Sequence, residues 1–193
     1  IELDLINKTL LNTPVLNITN RFISVRNFSP IYNIEFLING FSRVSKNISF
    51  ELKIVGTGNP SECERIKSLV SKLNDDRIDY IGLVGSNELI KHLIEAEYFV
   101  SIPSMDGLSL VVLEALACRC KGIVSDIHSY KSKLFSSTCE LVELSDVSQF
   151  TKQIEALISS TELDSIASQD LEAYDIKKNR IRFRKIIGLD YGE

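Results

Sequence analysis

The stretch Ile102-Pro103-Ser104-Met105-Asp106-Gly107-Leu108-Ser109-Leu110-Val111-Val112-Leu113-Glu114-Ala115-Leu116-Ala117-Cys118 carries the change of periodicity on which the fold turns. Ahead of it, residues 98–102 form a short apolar run stopped by Pro103, which reads as a buried strand. Behind it, residues 108–119 read as a helix that is apolar nearly all round. Gly107 between the two allows a tight turn and a close approach by a ligand. The amides of Leu108, Ser109, Leu110 and Val111 then lie unpaired at a helix N-terminus, which is an anion site. Glu114 is a carboxylate inside an apolar helix, and an unpaired buried charge is costly. Ribose hydroxyls would be suitable partners for it. The residues alone support a plainer account equally well, with Asp106 as helix cap and Glu114 in a salt bridge.

Outward from this stretch the same strand-to-helix alternation recurs. Strands are expected over residues 22–25, 50–55, 78–83, 98–102, 122–125 and 140–144. Ser29-Pro30 signals a helix start, followed by Ile34, Leu37, Ile38, Phe41 and Val44 at helical spacing. Residues 61–73 form an amphipathic helix with Ile66, Leu69, Val70 and Leu73 on one face. Ser86 is expected to cap a helix that turns Leu89, Ile90, Leu93 and Ile94 inward. Two helices over 147–160 and 161–187 close the chain. Short strands alternating with helices imply βαβ units and right-handed crossovers. The fold class is therefore α/β, with a doubly wound, mainly parallel, six-stranded Rossmann-like sheet. Residues 1–19 read as a lead-in from another domain, 20–187 as the domain and 188–193 as a tail. In such sheets ligands bind at the carboxyl ends of the strands near the switch point. That directs attention to the loops 26–33, 56–60, 84–87 and 103–109.

Composition excludes several classes. A chain of 193 residues is long enough for one good-sized core. Its net charge of -4 gives no electrostatic case for nucleic acid. The basic residues are scattered except for a run over 177–185, read as a solvated helix face. No apolar stretch reaches the roughly 18 residues of a membrane span. Cys63, Cys118, Cys120 and Cys139 have no disulfide-framework spacing, and a cytoplasmic location is the expectation. Cys118 and Cys120 with His128 lack a fourth ligand and a known zinc spacing, so buried thiols are the better reading. His92 reads as a helix-surface residue. Gly56-Thr57-Gly58 reads as a tight turn bordering the cleft.

The central stretch resembles the signature of family 4 glycosyltransferases, which have the GT-B fold. In that pattern a carboxylate, itself followed by Gly, is separated by seven residues from a second carboxylate; here these are Asp106 and Glu114, with Gly107 among the seven, followed by Ala115-Leu116-Ala117-Cys118. The resemblance extends from about Phe22 to Leu134 and corresponds to the C-terminal, donor-binding half of the fold. It implies a retaining, metal-independent transferase with a nucleoside-diphosphate sugar as donor and no cofactor. It further implies a glycan or lipid-linked acceptor, held through an N-terminal domain, and peripheral association with the inner membrane face. By resemblance, Glu114 takes the donor ribose, and Asp106 with the amides at Gly107 and Leu108 holds the sugar. The amides of Ser109, Leu110 and Val111 hold the diphosphate, and Val84 contacts the base through its backbone. Arg26 matches the family's phosphate-gripping arginine.

Tyr32 stands where the family places a lysine. A phenol donates one hydrogen bond and carries no charge. Losing one charge-assisted phosphate contact is worth about 1–3 kcal/mol. Arg119 and Lys121 are the nearest unusual bases, and helix ends commonly carry such residues. Three other functional readings are weighed. A non-catalytic nucleotide-binding module accommodates Tyr32, and a sugar-nucleotide epimerase of the same fold requires acid/base residues that are not evident. A receiver-like signalling domain would need acidic residues at the first strand end, where Arg26-Asn27 stands instead.

Overall fold

The computed structural model describes residues 3–12, 20–107, 109–131, 135 and 138–159. Its elements run α1 (Leu3–Asn12), β1 (Arg21–Val25), α2 (Ile34–Ser42), β2 (Glu51–Val55), α3 (Pro60–Leu73), β3 (Ile78–Gly82) and α4 (Ser86–Glu95). They continue with β4 (Tyr98–Ser101), α5 (Leu110–Ala117), β5 (Lys121–Ser125), β6 (Cys139–Val142) and α6 (Val147–Ser159). Single turns of 3-10 helix stand at Pro30–Tyr32 and His128–Tyr130.

All six strands pair in parallel, in the order β3-β2-β1-β4-β5-β6. This is the doubly wound sheet expected from the alternation. The chain adds β2 and β3 on one side of β1, then crosses back to add β4, β5 and β6 on the other. The switch point therefore falls between β1 and β4, which meet at Phe22 opposite Tyr98.

Side chains alternate strictly between the two faces, because strand period is two. Phe22, Tyr98, Val100 and Ile123 go to one core with α2, α3 and α6. Ile23, Phe99 and Val124 go to the other with α1, α4 and α5. On the first face, Phe22 stacks on Tyr98 at 4.7 Å and meets Phe41 edge-on at 5.0 Å. Gly40 lets α2 and α6 touch, since a Cβ there would strike the ring of Phe150. Thr151 Oγ1 on α6 donates to the Gly40 carbonyl at 2.9 Å.

Three local expectations differ from the structure. Ser29-Pro30 opens a 3-10 turn, not α2, which starts only after Asn33 takes a left-handed φ of 53°. Gly85, not Ser86, is the N-cap of α4, and it offers no side-chain acceptor. Within the polar stretch read as a lead-in, Leu3–Asn12 is a helix whose Leu3 and Ile6 are buried against the core beneath α4. Its apolar positions recur at helical spacing inside an Asn- and Thr-rich composition, and composition masked the period. The helix expected over 161–187, its basic run and the 188–193 tail lie outside the described residues.

At the amino edge of the sheet, an ionic knot around the buried Asp75 ties the turn after α2 to the start of β3. Asp75 accepts from Arg77 Nη2 at 2.8 Å and from Lys46 Nζ at 2.7 Å. Arg77 also donates to the carbonyls of Val44, Ser45 and Ile48 and lies over the ring of Phe50 at 4.4 Å. The hydrogen bond from Arg77 holds the Asp75 carboxyl well below the usual carboxylate range, against the opposing effect of burial. A depressed folded value means the stabilisation is complete above the unfolded carboxylate range and lost as pH falls toward the folded value. Asp75→Asn is therefore expected to cost about 1.5–3 kcal/mol near neutral pH. The loss should shrink as pH drops below about 4, the unfolded Asp value. Urea unfolding as a function of pH measures it, and an equal loss at pH 3 and pH 7 would contradict the assignment.

Candidate functional site

The site is built where β1 and β4 end side by side. Arg26 is the first residue beyond β1, and its amide continues the ladder onto the Val55 carbonyl at 3.1 Å. Its guanidinium turns toward β4. Nε donates to Ser101 Oγ, on the last residue of β4, at 2.7 Å. Nη2 meets Asp106 Oδ2 at 2.7 Å and donates to the Tyr130 hydroxyl at 2.8 Å. Tyr130 in turn donates to the same Asp106 Oδ2 at 2.7 Å. Tyr32 lies beneath the guanidinium, with its ring centroid 5.0 Å from Cζ. The two charged side chains are only 7% and 14% exposed, so their pairing is nearly dry.

Loop-to-loop hydrogen bonds hold this arrangement. The Ser104 amide donates to the Ile31 carbonyl at 2.8 Å, and Asn33 Nδ2 reaches the Ile102 carbonyl at 2.8 Å. Ser125 Oγ donates to the Pro103 carbonyl at 2.7 Å, and Ser129 Oγ to the Asp106 carbonyl at 2.7 Å. The loop after β4 is therefore fixed from both flanks. A cleft of about 410 Å³ borders it at the carboxyl ends of β4, β5 and β6.

Past Gly107, α5 starts at Leu110 with Ser109 as its N-cap. Asp106 is thus not the cap; its Oδ1 accepts from the Gly107 amide at 2.9 Å while Oδ2 faces Arg26. The Ser109 hydroxyl is buried and caps no amide, and it lies beside the Tyr130 hydroxyl. The first amides of α5 therefore lack an acceptor from the helix itself or from its cap. Along α5 the core covers Val112, Leu113, Ala115, Leu116 and Ala117. Leu110 is exposed, and Val111 and Glu114 are half-buried. Leu110 and Glu114 lie one turn apart on the less buried side of α5, while Val111 packs against the edge of the core. Glu114 thus sits on the wall facing outward from the uncapped helix start, not in the apolar interior.

Of the expected residues, Arg26, Tyr32, Asp106 and Gly107 are brought together here, and Ser109, Leu110, Val111 and Glu114 follow along the start of α5. Leu108 lies outside the described residues. Val84 stands two strands away, half-buried at the end of β3. The loops between are linked, since the Gly56 amide donates to the Gly82 carbonyl at 2.9 Å and the Phe28 amide to the Thr57 carbonyl at 2.8 Å. Gly56-Thr57-Gly58 is thus a buttress of the Arg26 loop. Arg119 and Lys121 are at the opposite edge of the sheet, where Lys121 meets Glu97 at 3.3 Å. They leave the place of the missing lysine to the ring of Tyr32. Cys118 and Cys120 also lie at that far edge. Both thiols are pushed up by burial, Cys118 to about 12, and Cys120 Sγ donates to the Leu93 carbonyl at 3.0 Å.

Sequence reasoning missed Ser101, Ser129 and Tyr130. Tyr130 is fully buried, and burial, the largest influence, pushes its phenol up to about 12. A signal was available: residues 126–130 follow β5, and the rule that selects strand-end loops applies to that loop as well.

The parallel doubly wound sheet carries a cation, a carboxylate and an uncapped helix start near its switch point, the place where such sheets bind ligands. Residues 19–160 match the model of the family described as Glycosyl transferases group 1, and the chain belongs to that family. Its fold is that of the C-terminal half of GT-B glycosyltransferases. The C-terminal domain of a group 1 family glycosyl transferase (LpcC) from Francisella tularensis superposes with a TM-score of 0.70 at 18% identity, over 91% of this chain and 99% of that one. The pneumococcal O-GlcNAc transferase GtfA, solved with UDP and GlcNAc, superposes with a TM-score of 0.68 at 16% identity, over 88% of this chain and 35% of that one. In sequence, the chain is 27% identical over 104 residues to the N-acetylgalactosamine-N,N'-diacetylbacillosaminyl-diphospho-undecaprenol 4-alpha-N-acetylgalactosaminyltransferase of Campylobacter jejuni. That match covers 53% of this chain and 27% of the relative, so the chain spans about a quarter of the relative's length.

The placement of Arg26 depends on Gly56. Its φ is 148°, and a Cβ there would strike the Arg26 carbonyl. Gly56→Ala is expected to destabilise the domain by more than about 1 kcal/mol through that clash and the strained backbone. Differential scanning calorimetry should show a lowered Tm, and an unchanged Tm would mean the Arg26 loop can move aside.

Proposed function

We propose that this chain is the donor-binding domain of a glycosyltransferase that moves a sugar from a nucleoside diphosphate to a glycan or lipid-linked acceptor. The observation that carries the reading is the convergence of the Arg26–Asp106 pair, the uncapped start of α5 and the less buried side of that helix bearing Glu114. Each piece suits one part of a nucleotide sugar. The α5 amides and Arg26 offer hydrogen bonds and positive potential to the diphosphate. Glu114, one turn further along that side, accepts hydrogen bonds from ribose hydroxyls. Asp106 and the Gly107 backbone stand at the other end, for the transferred sugar.

In such a site the protein contributes positioning and stabilisation of the charge that develops on the leaving diphosphate. Arg26 and the helix start would supply that stabilisation, which supports a metal-independent transfer. Retention of anomeric configuration follows from the family resemblance. The Campylobacter relative, by its name, acts on a diphospho-undecaprenol-linked saccharide, and GtfA was solved with UDP. A lipid-linked acceptor and a uridine donor are accordingly the first to test. Action at the cytoplasmic face of the membrane, with the acceptor held by an N-terminal domain, belongs to the same proposal.

One observation favours a second reading. Arg26 is already paired with Asp106, and Tyr32 supplies no second positive charge, so a module that binds nucleotide without transfer fits the phosphate end too. Calorimetry with UDP, GDP and ADP separates these possibilities from an empty fold. One of the three is expected to bind, and Glu114→Ala should weaken it at least tenfold, or about 1.4 kcal/mol. Binding to none of them would overturn the donor-site assignment. Release of free sugar from a panel of nucleotide sugars by the full-length protein would favour transfer, whereas binding without turnover would favour the module.

A further inference from the structure

We infer that Tyr130 is a positioning residue: its hydroxyl holds Asp106 turned so that one carboxylate oxygen stays available to a hydroxyl of the transferred sugar. The inference rests on the donor-site reading for the identity of the ligand, but its geometry stands on the structure alone.

An arginine and a carboxylate in a nearly dry setting favour the two-pronged fork, in which both oxygens face the guanidinium. Arg26 and Asp106 do not adopt it. The contact between them runs from Nη2 to Oδ2 at 2.7 Å. Two hydroxyls account for the difference. Ser101 Oγ takes the Nε prong at 2.7 Å. Tyr130 takes a share of Oδ2 at 2.7 Å while accepting from Nη2 at 2.8 Å. Arg26 and Tyr130 therefore both hold the carboxylate through Oδ2. Among the described residues, its other oxygen, Oδ1, accepts from the neighbouring Gly107 amide at 2.9 Å. A carboxylate oxygen has capacity for a second donor, such as a sugar hydroxyl.

Core filling does not explain the phenol. The Tyr130 side chain is fully buried and its ring packs edge-on against Phe135 at 5.2 Å, a contact that phenylalanine would make equally. The added hydroxyl has to be hydrogen-bonded to be tolerated there. Both of its partners are members of the candidate site. The preceding residue reinforces the same point, because Ser129 Oγ holds the main-chain carbonyl of Asp106 at 2.7 Å. One turn of 3-10 helix thus grips both the backbone and the side chain of Asp106. Burial raises the phenol's pKa to about 12, so it remains a hydrogen-bond donor throughout the physiological range.

Tyr130→Phe keeps the ring and removes the hydroxyl. The first test needs no ligand: crystal structures of the full-length protein and of Y130F are compared at Asp106. The expected change is rotation of the carboxylate so that both oxygens face Arg26. An Asp106 that stays in place would overturn the inference. The second test is calorimetry with a nucleoside diphosphate and with its sugar-bearing form, using the nucleotide that the intact protein binds. Y130F should weaken binding of the sugar-bearing form at least fivefold and leave the diphosphate within twofold. Equal losses for both ligands, as damaged folding would produce, or no loss for either, would count against Tyr130. If the intact protein binds no nucleotide, the donor-site reading falls, while the structural comparison still decides whether Tyr130 sets Asp106.

Discussion

The contact between Arg26 and Asp106 is the constraint around which the carboxyl edge of this domain is arranged. It joins the loop after β1 to the loop after β4, the two strands at which the chain reverses its direction of sheet growth. Burying two charges is costly unless the remaining donors and acceptors find partners. The structure meets that condition with hydroxyls: Ser101 on Nε, and Tyr130 between Nη2 and Oδ2. Tyr32 covers the open face of the guanidinium. The result is a cross-braced ion pair in which Arg26 and Tyr130 share Oδ2 and Oδ1 meets the Gly107 amide.

Everything that supports this corner comes from packing of a parallel sheet. Gly56 brings the second strand-end loop against the Arg26 carbonyl, and Gly82 links the third to the second. Ser125 and Ser129 tie the fourth loop to the fifth. Such cross-bracing keeps a row of loops in register without regular secondary structure, and preorganised donors are what charge stabilisation requires. The opposite edge of the sheet has a structural task, with Asp75, Arg77 and Lys46 knotting the turn after α2 to the start of β3. Bases that looked available for the phosphate end, Arg119 and Lys121, belong to that edge and are too far along the chain direction to serve.

Much of this was legible without coordinates. The six strands and the helices between them followed from the alternation of apolar runs with helical periods, and all six strands pair in parallel as that alternation demands. The errors were local. Ser29-Pro30 carries a helix-start signal, yet the left-handed Asn33 interrupts the chain before α2 begins. Leu3–Asn12 was hidden by its polar composition, because a short amphipathic helix is revealed by the surface it packs on. Asp106 has the spacing of a helix cap, but a nearby buried guanidinium is a stronger partner than backbone amides that Ser109 already flanks.

What the sequence by itself determined was the order of strands and helices, the group 1 glycosyltransferase signature, and the stretch from Ser104 to Glu114 as the place to look. These are properties of local pattern: periodicity, turn residues and spacing along one chain. Tertiary structure alone decided which side chains share a charge. The sequence places Arg26, Ser101, Asp106 and Tyr130 on three separate strand ends, and only the pairing of β1, β4 and β5 in one sheet brings them within hydrogen-bond distance. It also decided that Tyr32 serves Arg26 as a stacking partner, and that Glu114 faces outward along the less buried side of α5. Hydrogen bonds and ion pairs act over a few ångströms, and that proximity is fixed by the fold, not by distance along the chain.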